Sequence, residues 1–149
     1  MTHSEISAYI TAVKNGHLDP KKYISELIAK LSEENKKLNV FSNLSKKPDS
    51  HSDGPLSGLP FTVKDNICVK GSPTRAGSKI LEGYLPPFDA TVVEKMKAAG
   101  AVFIGTTNMD EFGFGTFSTN CGFGIPKNPF DASRSCGGSS GELQAQLRS

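Results

Sequence analysis

The stretch Leu59-Pro-Phe-Thr-Val-Lys-Asp-Asn66 decides how this 149-residue chain is read. It opens as a short apolar strand over residues 60–63 and ends on a lysine, Lys64, where polar residues take over. In such a strand Phe61 and Val63 share one face, Thr62 and Lys64 the other. A lysine there sits at the strand's carboxyl end, beyond which open α/β sheets place their chemistry. A second unusual stretch, Cys136-Gly-Gly-Ser-Ser-Gly141, lies far downstream. The reading is that the fold brings Lys64 and Ser139 together.

Working outward, the segment 89–105 predicts half of a βαβ unit. Asp89 is placed to cap a helix over residues 90–99, with Val92, Val93 and Met96 inward, and Gly100 ends it. Residues 101–105, Ala-Val-Phe-Ile-Gly, form a continuously apolar strand of the kind buried inside parallel sheets. Upstream, Ile6, Tyr9, Ile10 and Val13 recur at helical spacing, with Ser4 as cap and Asn15-Gly16 as stop. Asp19-Pro20 starts a second helix, whose apolar stripe is Tyr23, Ile24, Leu27, Ile28 and Leu31. Residues 38–44 suit a short extended segment, and residues 45–57 are polar enough for a surface loop. The chain therefore divides into a helical pair at 1–35, a linker at 36–58, a partial α/β domain at 59–141 and a tail at 142–149. The fold class is α/β, a mixed sheet flanked by helices.

Composition narrows the function. A net charge of +2, with acids and bases interspersed, gives no basic stripe for nucleic acid or membrane. Fifteen glycines and nine prolines mark a loop-rich chain. Cys68, Cys121 and Cys136 are odd in number and form no Cys-x-x-Cys pair, which fits free thiols in a reducing, cytoplasmic setting. His3, His17 and His51 share no metal-ligand spacing with each other or with the cysteines, so no metal site is expected. Two further patterns fail on inspection. Gly71 to Lys79 has its second glycine one residue late for a phosphate loop, and Ser78 precedes Lys79 instead of following it. Phe112-Gly-Phe-Gly-Thr-Phe117 has Thr116 where an RNA-binding sheet wants an aromatic, and Phe112 where it wants a basic residue.

A lysine desolvated in a cleft can lose its proton and serve as a base. Serine is a poor nucleophile, or proton carrier, until such a base is in hydrogen-bond reach. Glycines on both sides of Ser139-Ser140 let the backbone approach a ligand closely. These residues fit a Ser/Lys hydrolase site. They also fit a solvated lysine and a flexible glycine-serine linker.

Six ordered blocks tip that balance: Leu59 to Asn66, Pro87-Phe-Asp-Ala-Thr-Val-Val93, Ala98-Ala-Gly-Ala101, Gly105-Thr-Thr-Asn-Met-Asp-Glu-Phe112, Lys127-Asn-Pro129 and Cys136 to Gly141. Together they resemble the amidase signature family, in particular its branch of glutamyl-tRNA(Gln) amidotransferase glutaminase subunits (the A-type subunits) in its archaeal flavour. The resemblance covers nearly everything from Ser57 to Gly141. It implies a serine, cis-serine, lysine triad, with Lys64 as the base and Ser139 as the proton-relaying cis-serine. It implies hydrolysis of glutamine, with the ammonia passed to partner subunits (the B-type and C-type subunits, or their equivalents) that amidate Glu-tRNA(Gln) using ATP and Mg²⁺. No cofactor is expected on this chain itself. Gly115 and Thr116 either line the pocket or form a tight turn beneath the site. Asp65 and Asn66 are expected to orient the loop.

The sequence departs from the family in two respects. The nucleophilic serine belongs to an Asp-x-Gly-Gly-Ser block, and these 149 residues contain none. After Gly141 the family runs into an alanine-rich buried helix, whereas here the chain reads Glu-Leu-Gln-Ala-Gln-Leu-Arg-Ser149. The resemblance implies the family's first third, truncated before the nucleophile and inactive alone. Helices that cover the apolar strand at 101–104 are expected to be missing, which predicts a marginally stable, sticky chain. The alternatives are a stand-alone amidase acting on small amides and a non-catalytic fragment that docks to partner subunits.

Overall fold

The computed structural model describes residues 3–46, 48 and 53–140. Two helices, α1 (His3–Lys14) and α2 (Pro20–Leu38), lead into a short strand, β1 (Phe41–Leu44). A second strand, β2 (Pro60–Lys64), is followed by a 3-10 turn at Lys79–Leu81. Helix α3 (Thr91–Ala98) then feeds the central strand, β3 (Val102–Thr107), and a second 3-10 turn follows at Glu111–Gly113. The sheet order is β1-β3-β2, with β2 parallel and β1 antiparallel to β3. This is the mixed sheet with flanking helices that the sequence predicts.

Every residue of β3 is buried. Its alternating side chains serve two layers. Val102 and Ile104 pack on Ile24 of α2, with Tyr23, Leu27, Ile28 and Leu31 around them. Phe103 joins Val93 of α3, Val63 of β2 and Val69 in a second cluster. Phe61 meets Phe103 edge-on, ring centroids 5.9 Å apart. This corrects the expectation of an uncovered strand face, because α2 and α3 supply both layers from within this chain. The open apolar surface lies elsewhere: Ile80, Leu85 and Phe88 are exposed before α3, and Phe112, Phe114, Phe117, Ile125 and Phe130 along the segment that leads to Ser139.

Local chemistry sets the helix ends, in places differently from the sequence reading. Asp19 caps α2 as expected, accepting the Lys21 N–H at 2.9 Å, with Pro20 in the first turn. The helix runs three residues past the boundary drawn at 35, through Lys36, Lys37 and Leu38, all good helix formers. It stops at Asn39, which takes the left-handed conformation (φ 55°). The segment 36–58 is thus not a plain linker, since it completes α2 and supplies β1. Helix α1 already includes His3, so Ser4 lies inside it and not at its cap. Ala90, not Asp89, occupies the cap of α3, and no side chain bonds there. Asp89 instead accepts the Lys70 N–H at 2.7 Å and pairs with Lys97 at 2.9 Å. Burial works against its charge, but those partners outweigh burial and hold its carboxyl below the usual value. Val92 points outward, 53 % exposed, and Val93 alone takes the fully buried position on α3.

Helix α1 is fastened by Tyr9. Its hydroxyl donates to the Gly58 carbonyl at 2.8 Å, and its ring lies 5.1 Å from that of Tyr23. Gly58 sits two residues before β2, so the first helix is tied to the strand that carries Lys64.

Candidate active site

Because β2 and β3 are parallel, their carboxyl ends emerge side by side, with Lys64 in register with Thr107. The next residues of both strands are buried polar groups: Asp65 after β2, and Asn108 and Asp110 after β3. A sheet end that buries charge must satisfy it by hydrogen bonds; here backbone amides serve the two carboxylates, while Thr107 Oγ1 and Arg75 Nε make none.

Asp65 is fully buried. Its carboxylate accepts the N–H groups of Arg75 at 3.3 Å and Gly77 at 3.4 Å, and faces the Arg75 Nε at 3.8 Å. Its own N–H donates to Thr107, and its carbonyl accepts from Ala76. Burial raises the Asp65 pKa above the ordinary carboxylate value, and the amides and the Arg75 charge offset only part of that rise. Arg75 in turn stacks 3.8 Å over the Phe123 ring and donates to the Ser42 carbonyl. Asp65 therefore clamps the turn at 75–77 to the strand end that presents Lys64, the orienting role expected of it.

The Lys64 ammonium reaches the serine loop. Nζ donates to Ser139 Oγ at 2.8 Å and to Ser140 Oγ at 2.5 Å. The two stretches singled out in the sequence thus meet although Lys64 and Ser139 stand 75 positions apart. The peptide joining Gly138 to Ser139 is cis. Gly113 borders the pair, since a Cβ on it would lie 3.9 Å from Ser139 Oγ. Gly115 lies directly on the Asp110 carboxylate, and Thr116 is exposed.

Asp110 is a residue that sequence reading missed. Its two carboxylate oxygens accept the N–H groups of Ser118 (3.0 Å) and Asn120 (2.9 Å). A Cβ on Gly138 would lie 2.4 Å from Asp110 Oδ2, and one on Gly115 would lie 2.1 Å from its Cγ. Ser118 closes the circuit by donating its hydroxyl to the Gly137 carbonyl at 2.5 Å. The one available signal was that Asp110 falls inside a block quoted for the family resemblance. The block assigns it no role.

Among the described residues no group of three or more His, Cys, Asp or Glu side chains is placed to hold a metal ion. A cleft of about 330 Å³ is lined by Asn43, Lys70, Lys97 and Phe103 among others, and by neither Lys64 nor Ser139.

A lysine bonded to two serines of a glycine-framed loop, at the carboxyl edge of a parallel strand pair, has the makings of a Ser/Lys hydrolase centre. The chain belongs to the amidase family, whose model, described as Amidase, matches residues 23–141. The A-type subunit of the Sulfolobus acidocaldarius glutamyl-tRNA(Gln) amidotransferase is 41 % identical over 151 residues, covering 95 % of this chain and 32 % of that protein. The crystal structure of the corresponding A-type subunit from Thermotoga maritima superposes with a TM-score of 0.79 at 36 % identity, over 86 % of this chain and 28 % of that one. A vestigial protein complex, described as revealing the origins of an s-triazine catabolic enzyme, superposes with a TM-score of 0.84 at 31 % identity, over 94 % of this chain and 34 % of that one. The chain thus spans about a third of the length of the relatives it matches. The family match ends at residue 141, and the sequence reading expects a divergent tail at 142–149. That tail lies outside the described residues.

Proposed function

We propose that this chain carries the base and the proton relay of a glutamine-hydrolysing amidotransferase subunit. The observation that carries the reading is the 2.8 Å bond from Lys64 Nζ to Ser139 Oγ. A hydroxyl bonded to an amine is a proton relay for a nucleophile that approaches the hydroxyl from its other side. In the complete enzyme a serine outside these 149 residues attacks the side-chain amide carbon of glutamine. Its proton passes to Ser139 Oγ while the Ser139 proton passes to Lys64 Nζ. Collapse of the tetrahedral intermediate breaks the C–N bond, and the relay runs backwards to deliver that proton to the leaving nitrogen as ammonia. Water then enters by the same relay and hydrolyses the acyl-serine to glutamate.

Gly115 and Thr116 line the approach to Ser139 in this reading, because their loop abuts Gly138 through Phe117 and Ser118. The ammonia is consumed by the B-type and C-type partner subunits or their equivalents. These amidate Glu-tRNA(Gln) with ATP and Mg²⁺ in the cytoplasm. No helix among the described residues is long and apolar enough to cross a membrane.

The test is a chimera in which residues 1–141 replace the matching part of the Sulfolobus acidocaldarius protein, assayed with its partner subunits for ammonia release from glutamine. Activity that is lost in Lys64→Ala is the expected result. Undiminished turnover in Lys64→Ala overturns the reading.

A further inference from the structure

We propose that Asp110 is the positioning residue of the Ser139 loop. It fixes the Gly137–Ser139 backbone so that Ser139 Oγ stands at Lys64, without itself touching the reacting atoms. The inference rests on the Lys64–Ser139 pair assigned under the proposed function and adds the group that holds that pair in place.

Four observations converge on it. First, the carboxylate is completely buried, so its lone pairs must be used within the protein. They are used on two amides of a single loop, those of Ser118 and Asn120. Second, the carboxylate lies in a slot between two glycines, and the distances leave no space for a methyl group at either 115 or 138. Gly138 is the residue immediately before Ser139. Third, Ser118 adopts a left-handed backbone (φ 54°) although it is not glycine. Such a conformation persists where surrounding bonds over-determine it. Here the Ser118 N–H is fixed by Asp110 and its hydroxyl by the Gly137 carbonyl. Fourth, a Cβ on Gly138 would lie 2.8 Å from both the Phe117 and the Ser118 nitrogens, so the two loops are in backbone contact at the point where the serine loop turns toward Lys64. Asp110 holds Ser118, and Ser118 holds Gly137. Ser139 lies two residues further on.

A buried aspartate at a strand end can also be a purely structural group, and the experiment separates the two roles. The readout is the acetylation rate of Lys64 in the folded 149-residue chain, with limiting acetic anhydride, measured by peptide mass spectrometry and normalised to Lys30. Ser139→Ala removes one of the amine's partners and serves as the reference. It is expected to raise the Lys64 rate about fivefold, the worth of one hydrogen bond. Asp110→Asn sets an NH₂ group against one of the two backbone donors, which releases the loop, and is expected to raise the rate by the same factor. Ser118→Ala, which removes only the Gly137 link, is expected to do so too, and it decides the question if Asp110→Asn does not fold. Ile24→Val, a core variant remote from the loop, is expected to lower the melting temperature and leave Lys64 unchanged.

If Ser139→Ala raises the rate while the folded Asp110→Asn and Ser118→Ala chains match wild type, Asp110 is structural and the proposal is overturned with the pair intact. If Ser139→Ala itself has no effect, the Lys64–Ser139 pair does not exist in solution. The functional reading and this proposal then fall together.

Discussion

Truncating Val93 to alanine tests whether the α3 layer is a real half of the core. Val93 is completely buried against Val63, Val69 and Phe103. Val93→Ala removes two methyl groups, about 1.6 kcal/mol of transfer free energy at about 0.8 kcal/mol per carbon. The neighbours sit on two strands and a loop and can close only part of the gap. A residual cavity of roughly 40 Å³ at about 24 cal/mol per Å³ adds about 1 kcal/mol. The expected loss is therefore about 2–3 kcal/mol. Ile24→Ala, on the opposite face of β3, should cost about 2–5 kcal/mol. The assay is urea unfolding of the purified chain followed by far-UV circular dichroism. Both variants should lower the midpoint without changing the slope of the transition. A loss under about 0.5 kcal/mol for Val93→Ala, the range of an ordinary surface change, would mean that α3 does not pack on β3 in solution. A broad transition in the wild-type chain would mean that the two layers do not form one cooperative unit. Either result refutes the claim that this chain covers its own central strand.

Four further outcomes follow from the geometry. Tyr9→Phe leaves the buried Gly58 carbonyl without its donor and should cost about 1–3 kcal/mol in the same assay. Burial, with a smaller effect of Tyr23, raises the Tyr9 pKa from 10.0 to about 12, so the folded state keeps a proton that the unfolded chain releases. Stability should then fall as pH rises from about 10 to about 12 in wild type but not in Tyr9→Phe; parallel profiles would refute this. Asp65 also has a raised pKa, so the folded state binds its proton more tightly than the unfolded chain does. Its contribution is fully present below the ordinary carboxylate value of 3.8 and is lost as pH rises through the elevated one. Asp65→Asn should flatten the stability profile in that acidic window, and an unchanged slope would show that the clamp carries no linkage. Finally, Lys64→Arg in the chimera should be as inactive as Lys64→Ala, because a guanidinium cannot deprotonate; restored ammonia release by arginine would remove Lys64 from proton transfer.

What was legible in the sequence was what local chemistry decides. The helix over Tyr23 to Leu31 and the strand at Val102 announce themselves by periodicity and by an unbroken apolar run. Asp89 misled because a carboxylate one residue before a helical pattern looks like a cap. The Lys70 N–H and the Lys97 ammonium, neither adjacent to it, claimed it instead. The coverage of β3 was misjudged because nothing local says that α2, some 70 positions upstream, lies across it. Lys64 and Ser139 are legible as a candidate pair from the strand-end lysine and the glycine-framed serines, and the order of the family blocks decides between that pair and a solvated lysine beside a flexible linker. Asp110 was not legible as a hub, since its role exists only once Gly115, Ser118 and Gly138 have folded around it.

The glycine slot around Asp110 also works as a filter on sequence change. Positions 115 and 138 tolerate no Cβ while an aspartate stands at 110. Gly115 answers to that carboxylate alone, so a side chain at 115 requires a change at 110. Gly138 is closed by the Phe117 and Ser118 backbone nitrogens as well, so it stays glycine whatever stands at 110. In any alignment position 138 should be invariant while 110 and 115 change only together.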